Sequence, residues 1–323
     1  MEPSDLTDVV IGSRGSELAL WQSNLVKSQL QKLFPELRVE ILILKTKGNK
    51  IPDSFVPRIG AKGIFTREID EALLEGRIDI SVHSLKDLPT KIPEGLKVGA
   101  ILEREDVHDV FISHPQKLHR SLDELPRGAR VATGSLRRKC QLLYYRPDLE
   151  IVDIRGNVPT RLQKLDTSSW DGLILAKAGL ARLNMTDRIT ETIPTDILLP
   201  AVGQGAIAVE VRSSDQKVMS LVATVNHEPT ATATQAERIL LESLKGGCQV
   251  PIGAYARTMN GAFVMDALIG SLDGKKVIRS TIHGDPSQAD SLAKTLAHAL
   301  LRSGGDRILK EIRTETPIEI PTV

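Results

Sequence analysis

From Val9 to Leu175, short apolar runs rich in Val and Ile alternate with helical stretches, and each helix is followed by a new strand rather than by a second helix. Val9 to Ile11 reads as a strand, Ser16 to Leu33 as a helix ended by Pro35, and Val39 to Leu44 as a second, β-branched strand. Thr66 to Glu75 reads as a helix stopped by Gly76, and Ile78 to Val82 as a strand that ends in His83-Ser84-Leu85-Lys86-Asp87. Strand–helix–strand units of this length favour a parallel sheet with right-handed crossovers.

The alternation starts again near Asp109, with strands at Val110 to Ile112, Arg130 to Thr133, Ile151 to Ile154 and Leu173 to Leu175, and helices beginning after Thr133, Asn157 and Lys177. A Pro- and Gly-rich stretch, Pro194 to Gly205, leads into the apolar run Ala206 to Val211, which is placed to return to the first sheet. Beyond Asp215 the pattern changes. A helical stretch, Thr232 to Leu244, precedes strands at Ile252 to Arg257, Ala262 to Ile269 and Lys276 to His283, with turn signals at Asn260-Gly261 and Asp273-Gly274. These point to an antiparallel sheet covered by a last helix, Ser287 to Leu301. The expected class is α/β: two α/β lobes, residues 1–104 with 206–223 and residues 105–205, plus a small α+β domain at 224–323.

A chain of 323 residues is long enough for two or three domains with separate cores. Its 42 basic and 41 acidic side chains give a net charge of +1, which argues against a polyanion-coating protein. Two Trp, three Tyr and five Phe leave few platforms for stacking single-stranded bases, so no nucleic-acid partner is expected. Cys140 and Cys248 match neither zinc nor thioredoxin-type spacing. His83, His108, His114 and His119 fit no helix-face ligand pair, so they read as structural or exposed histidines and no metal is expected. The acidic start runs directly into a strand and no apolar run approaches a membrane span, so a cytoplasmic protein without a membrane partner is expected. A mature plastid protein would read the same.

In open α/β sheets ligands bind beyond the carboxyl ends of the strands. Small residues and cations recur there: Gly12-Ser13-Arg14-Gly15-Ser16, Lys86-Asp87, Thr133-Gly134-Ser135-Leu136-Arg137-Arg138 and Arg155-Gly156-Asn157. Helix N-termini beside arginines bind carboxylates or phosphates. A single such Arg is most simply a solvated surface residue; several at strand ends make an anion site, with Arg14, Arg137, Arg138, Arg155, Arg161 and Arg182 as its candidates. Neither G-x-G-x-x-G nor a Walker motif is present, which favours a polycarboxylate over a nucleotide. Asp87 beside Lys86 is suited to stabilise developing positive charge, with a helix cap or structural ion pair as the plainer reading. Cys248 lies in a Gly-Gly-Cys turn that exposes sulfur, whereas Cys140, in an apolar helical pattern, reads as a small hydrophobe.

Seven segments in this order resemble the porphobilinogen deaminase (hydroxymethylbilane synthase) family: Gly12 to Gln22, Gly63-Ile64-Phe65-Thr66, Val82 to Pro89, Ser135 to Arg138, Arg155-Gly156-Asn157 with Arg161, Pro200 to Gly205, and Gly246-Gly247-Cys248. The resemblance implies two lobes forming a cleft like that of periplasmic binding proteins, and a third domain bearing a dipyrromethane cofactor joined by a thioether to Cys248. It implies head-to-tail addition of four porphobilinogens, each losing ammonia, followed by hydrolytic release of hydroxymethylbilane and its transfer to uroporphyrinogen-III synthase, by a monomeric enzyme. Asp87 and Lys86 are then catalytic. Ser16, Ser135 and Gln204 join Arg14, Lys86, Asp87, Arg137, Arg138 and Arg155 in holding the cofactor, and Gln22, Lys62, Phe65, Arg161 and Arg182 join Arg14 and Arg155 in holding substrate. Each pyrrole unit carries two carboxylates, so a full chain brings about twelve negative charges, which need these cations.

Two positions depart from the family pattern: Asn49 in Lys47-Gly48-Asn49 stands where Asp is usual, and Ala61 where Gly is usual. Both fall in a stretch, Lys47 to Phe65, expected to form a loop closing over the cleft. The rival reading is a non-catalytic two-lobed binder of small polycarboxylates, which needs neither Asp87 nor Cys248. A nucleic-acid binder using Arg137-Arg138-Lys139 would call for more net positive charge than this chain has.

Overall fold

Strand β1 (Asp8–Ser13) leads into helix α1 (Glu17–Leu33), whose start is fixed by Ser16 accepting a hydrogen bond from the Ala19 N–H and whose interior holds no Gly or Pro. The structure, a computed structural model, describes residues 6–44, 67–246 and 250–315. Asn49, Ala61, Lys62, Phe65, the expected loop at 47–65 and Cys248 lie outside the described residues. The chain divides into two compact units, Met1–Glu105 with Gly205–Thr234, and Asp106–Gln204 with Gln235–Val323.

The first unit continues with β2 (Arg38–Ile43), α2 (Arg67–Leu74), β3 (Ile80–Ser84) and β4 (Leu96–Ile101), and after the chain returns, with β10 (Ile207–Arg212) and α6 (Gln216–Ala223). The sheet order is β2-β1-β3-β10-β4; β1, β2 and β3 are parallel, and β10 is antiparallel to both its neighbours. The run from Ala206 therefore does return to the first sheet. One face packs Val26 and Leu30 of α1 and Val218, Leu221 and Val222 of α6 against Ile11, Ile80, Val82, Val209 and Val211. The other packs Ile69, Ala72 and Leu73 of α2 over Ile78 and Leu96.

The second unit opens with β5 (Asp109–Ser113), β6 (Arg130–Ala132), α3 (Leu136–Tyr145), β7 (Glu150–Val152), α4 (Val158–Asp166), β8 (Gly172–Ala176), α5 (Lys177–Arg182) and β9 (Glu191–Ile193). Its sheet order, β7-β6-β8-β5-β9, repeats that of the first: three parallel strands, one antiparallel strand fourth, and an edge strand. These are the two sheet-containing α/β lobes expected from the alternation. No sequence repeat announces them, because it is topology and apolar pattern that recur.

The same unit carries α7 from residue 235 onward (the helix spans Glu228–Ser243), then β11 (Ile252–Met259), β12 (Ala262–Gly270), β13 (Val277–Gly284), α8 (Ala289–Leu300) and α9 (Asp306–Glu315). The three strands form an antiparallel sheet whose first turn, Asn260-Gly261, has φ of +51° and +81°, the left-handed pair that a tight hairpin needs. This small domain seats on the second lobe through close backbone approach: a Cβ at Gly270 would lie 2.1 Å from Cys140 Sγ.

Candidate active site

Two strand-end regions, one in each unit, gather the residues singled out from the sequence. In the first unit, β1 delivers Arg14, which is half-buried, and Ser16 at the start of α1. Neighbouring β3 runs into a 3₁₀ turn, Leu85–Asp87, held by Leu85 donating to Ala206 O at 3.0 Å and by the buried Leu85 and Leu88 side chains. Between these anchors Lys86 is half-buried and Asp87 is exposed.

Gln22 is nearly inaccessible at 2% exposure, and its Nε2 donates to Ser84 Oγ at 2.7 Å. The structure thus ties Gln22 to the strand end that carries Lys86 and Asp87. Beneath the same strand, Ser81 donates to Glu210 Oε2 at 3.2 Å and His83 Nε2 lies 2.9 Å from Ser81 Oγ. Asp70, His83 and Glu210 each place one polar atom within 4.8 Å of the others, a buried polar inset in an otherwise apolar face. His83, expected to be structural or exposed, is thus buried in β3 within a group of three side chains close enough together to hold a metal ion.

In the second unit, parallel β6, β7 and β8 end at one sheet edge and are followed by Thr133–Arg138, 153–161 and Lys177–Arg182. Thr133 N donates to Val152 O at 2.8 Å, and a Cβ at Gly134 would lie 2.4 Å from Ile154 O, so the first two loops touch through backbone. Ser135 caps α3 by accepting from Arg138 N at 3.4 Å, and Asn157 caps α4 by accepting from Thr160 N at 2.9 Å. Two helix N-termini are thereby set side by side, the arrangement that favours bound anions. Arg155 and Arg161 are half-buried there, Arg161 Nε donating to Gly156 O at 2.7 Å, and Arg182 is 6% exposed.

The organiser of this edge is Asp109, the first residue of β5 and fully buried, which the sequence reading did not single out. Arg137 Nη1 approaches its Oδ2 at 2.8 Å, while Arg138 donates to Oδ1 from Nη2 at 2.8 Å and from Nε at 3.1 Å. Gln204 Nε2 adds a bond to Oδ1 at 2.8 Å and another to Val107 O at 2.8 Å. Burial by itself raises the Asp109 carboxyl, but the two guanidinium charges outweigh it and hold the group well below the usual carboxylate range. Burial also pulls the Arg137 guanidinium down, with Arg138 adding to this and Asp109 opposing it. Three residues expected to face carboxylates, Arg137, Arg138 and Gln204, thus direct part of their hydrogen bonding inward. Arg137 Nε, buried, has no hydrogen-bond partner among the described residues. Beside this network Asp106 accepts from Lys177 Nζ at 2.7 Å and touches His108.

Cys140 is inert by the same physics: burial, with a smaller push from Asp273, raises its thiol to about 12.

Fold and edges define a two-lobed α/β protein with cations and helix N-termini arrayed for a polycarboxylate and an exposed acid beside a lysine at a strand end. Residues 9–220 match the family model described as porphobilinogen deaminase, dipyromethane cofactor binding domain, and residues 231–302 match the model of the porphobilinogen deaminase C-terminal domain. The chain is 49% identical to a porphobilinogen deaminase of Moorella thermoacetica over 96% of this chain and 98% of that one. It is 48% identical to one of Desulforamulus reducens over 94% and 98% of the two chains. Among solved structures it is similar to the L-cystine solute receptor of Neisseria gonorrhoeae, at a TM-score of 0.40 and 13% identity, covering 73% of this chain and 92% of that one.

The chain belongs to the porphobilinogen deaminase family. With the family comes the enzyme class, a transferase of tetrapyrrole biosynthesis, and a dipyrromethane cofactor. The residues fit that group. Its carboxylates call for clustered donors, and the second unit sets two helix N-termini, Arg155 and Arg161 along one edge, with Arg137 Nε lacking a hydrogen-bond partner among the described residues.

Proposed function

We propose that the protein condenses four porphobilinogens head to tail with loss of four ammonias and releases hydroxymethylbilane by hydrolysis. The cofactor, joined through a thioether to Cys248, supplies when bound the pyrrole terminus to which substrate units are added. Asp87 accepts hydrogen bonds from pyrrole N–H groups and stabilises positive charge on the reacting ring, and Lys86 beside it binds substrate carboxylate. Ser16, Ser135, Arg14, Arg137, Arg138, Arg155 and Gln204 hold cofactor carboxylates; Arg161, Arg182, Lys62 and Phe65 hold substrate. Gln22 contributes by fixing Ser84, and with it the turn bearing Asp87. Asp109 contributes by holding the planes of Arg137 and Arg138.

The observation that carries this reading is the exposed Asp87 on a turn whose two neighbours on either side in the core, Leu85 and Leu88, are buried, so that an acid is rigidly presented rather than neutralised within the fold. The three-domain division at 1–104 with 206–223, 105–205 and 224–323 is part of the proposal; the chain crossings between units at 105/106 and 204/205 support the bounds of the second lobe, while the third crossing falls at 234/235. So are a monomeric state, a cytoplasmic location and delivery of product to uroporphyrinogen-III synthase. Among the described residues no helix is long and apolar enough to cross a membrane. The test is stoichiometry: ammonia and linear tetrapyrrole are measured together on porphobilinogen. Four ammonias per tetrapyrrole support the reading; binding of porphobilinogen without ammonia release overturns it in favour of a polycarboxylate binder.

A further inference from the structure

Burying a carboxylate is costly unless its oxygens receive hydrogen bonds. Glu237, in α7, is 0% exposed, and both oxygens are engaged by backbone: Oε2 accepts from Gly203 N at 2.7 Å, and Oε1 accepts from Ala256 N at 2.9 Å. One side chain thereby joins two segments that the established activity leaves unexplained as a pair. Gly203 immediately precedes Gln204, which binds Asp109 and so the Arg137–Arg138 pair. Ala256 lies in β11, the first strand after Cys248.

The two segments meet a second time. Ala254 N donates to Pro200 O at 3.1 Å, and a Cβ at Gly253 would lie 3.0 Å from Leu199 O. That same Leu199 O accepts from Arg137 Nη1 at 2.7 Å, and Gln141 brackets the residue by donating to its O at 3.1 Å and accepting from its N at 2.8 Å. A continuous hydrogen-bonded path therefore runs from the strand that follows Cys248 to the arginines.

We propose that Glu237 is a positioning residue that sets β11, the strand that follows Cys248 in the chain, in register with Arg137 and Arg138. The inference rests on the reading of Cys248 as the attachment point. A group fixed covalently at one end and held by its carboxylates at the other reacts efficiently only if the two holds keep a set separation, and a misplacement of about 1 Å costs up to about a hundredfold in rate. Only an acceptor on both oxygens suits two N–H donors; a glutamine amide matches one and turns its own NH2 toward the other.

The test compares E237Q with L240A, which hollows the same helix at a fully buried apolar position whose side chain makes no hydrogen bond. Thermal midpoint, intact mass, kcat and KM are measured on the full chain with porphobilinogen. E237Q should acquire its covalent cofactor more slowly and lose at least about tenfold in kcat while KM moves by less than about threefold, and L240A should keep kcat within about threefold at an equal or lower thermal midpoint. Wild-type kcat in E237Q, or an equal loss in L240A, overturns the proposal. If E237Q does not fold, amide exchange in the unaltered protein decides: by linkage, exchange at Gly203 and Ala256 must be slower in the cofactor-bearing protein than in the C248S variant, and equal exchange overturns the proposal. A covalent cofactor persisting in C248S would instead refute the attachment reading, an outcome separate from either result for Glu237.

Discussion

Arg138 grips a single oxygen of Asp109 with two of its nitrogens, Nη2 at 2.8 Å and Nε at 3.1 Å, inside a region where neither residue is more than 6% exposed. The geometry leaves Asp109 Oδ2 to Arg137 and fixes both guanidiniums at the end of the parallel strands. A buried pair of this kind is a weak source of net stability but a strict one of conformation, since removing one partner strands a charge.

Asp109→Asn should therefore destabilise the protein by about 3–5 kcal/mol, read from urea unfolding. A loss below about 1 kcal/mol would show that the arginines find other partners. The folded fraction should also purify with less covalent cofactor, read by mass.

Asp87→Asn should behave in the opposite way. The side chain is exposed, so stability should stay within about 0.5 kcal/mol of the unaltered protein. Turnover should fall about 10²- to 10³-fold, the scale of removing one preorganised charge-stabilising group. Near-normal turnover would remove Asp87 from the chemistry.

Gly134→Ala places a methyl group against Ile154 O, so the loops bearing Ser135 and Arg155 must part. KM for porphobilinogen is expected to rise about tenfold or more with secondary structure retained by circular dichroism. An unchanged KM would dissociate this loop contact from substrate binding.

The Asp106 carboxyl is held down at about 2: burial opposes its ionisation, but hydrogen bonds from Lys177 and His108 outweigh it. Its folded value lies below its ordinary one, so its contribution to stability is present in full above the ordinary value of about 4 and is lost as pH falls toward about 2. In urea titrations the stability gap between the unaltered protein and Asp106→Asn should be constant near neutrality and close between about pH 4 and 2. A gap that persists at pH 2 would mean that Asp106 acts through packing instead.

Much of the fold was legible because apolar period and turn chemistry agree locally. The run read as a strand at Ala206 to Val211 forms β10, Ile207–Arg212, and lies between β3 and β4 as an interior strand. Helices α3 and α4 begin at Ser135 and Asn157, both capping residues. Elements that escaped notice lack such signals. Strand β4 contains Gly99, where a Cβ would come within 2.7 Å of Val222, so close helix approach rather than β propensity decides it. Strand β9 has three residues, α6 only eight, and α9 lies in a polar stretch. The last helix was expected to end near Leu301, whereas the chain turns at Gly304, with φ of +104°, and resumes as α9.

At the site, strand-end cations were visible because residue type and position suffice to suggest an anion. Asp109 was not, since an acid at the head of an apolar run looks like a strand cap until the cations of helix α3 converge on it. Glu237 is hidden for the same reason, as one acid in a helix beside Arg238. The clue in both cases is an acid adjoining a buried run, and it gains meaning only once tertiary contacts are known.

The central claim, that pyrroles are built up on Cys248, is tested most directly by intact mass under denaturing conditions before and after brief exposure to porphobilinogen. The predicted result is a covalent excess of two linked pyrrole units on the peptide containing Cys248, growing in single-pyrrole steps with substrate. A mass equal to the bare polypeptide, unchanged by substrate, would contradict it.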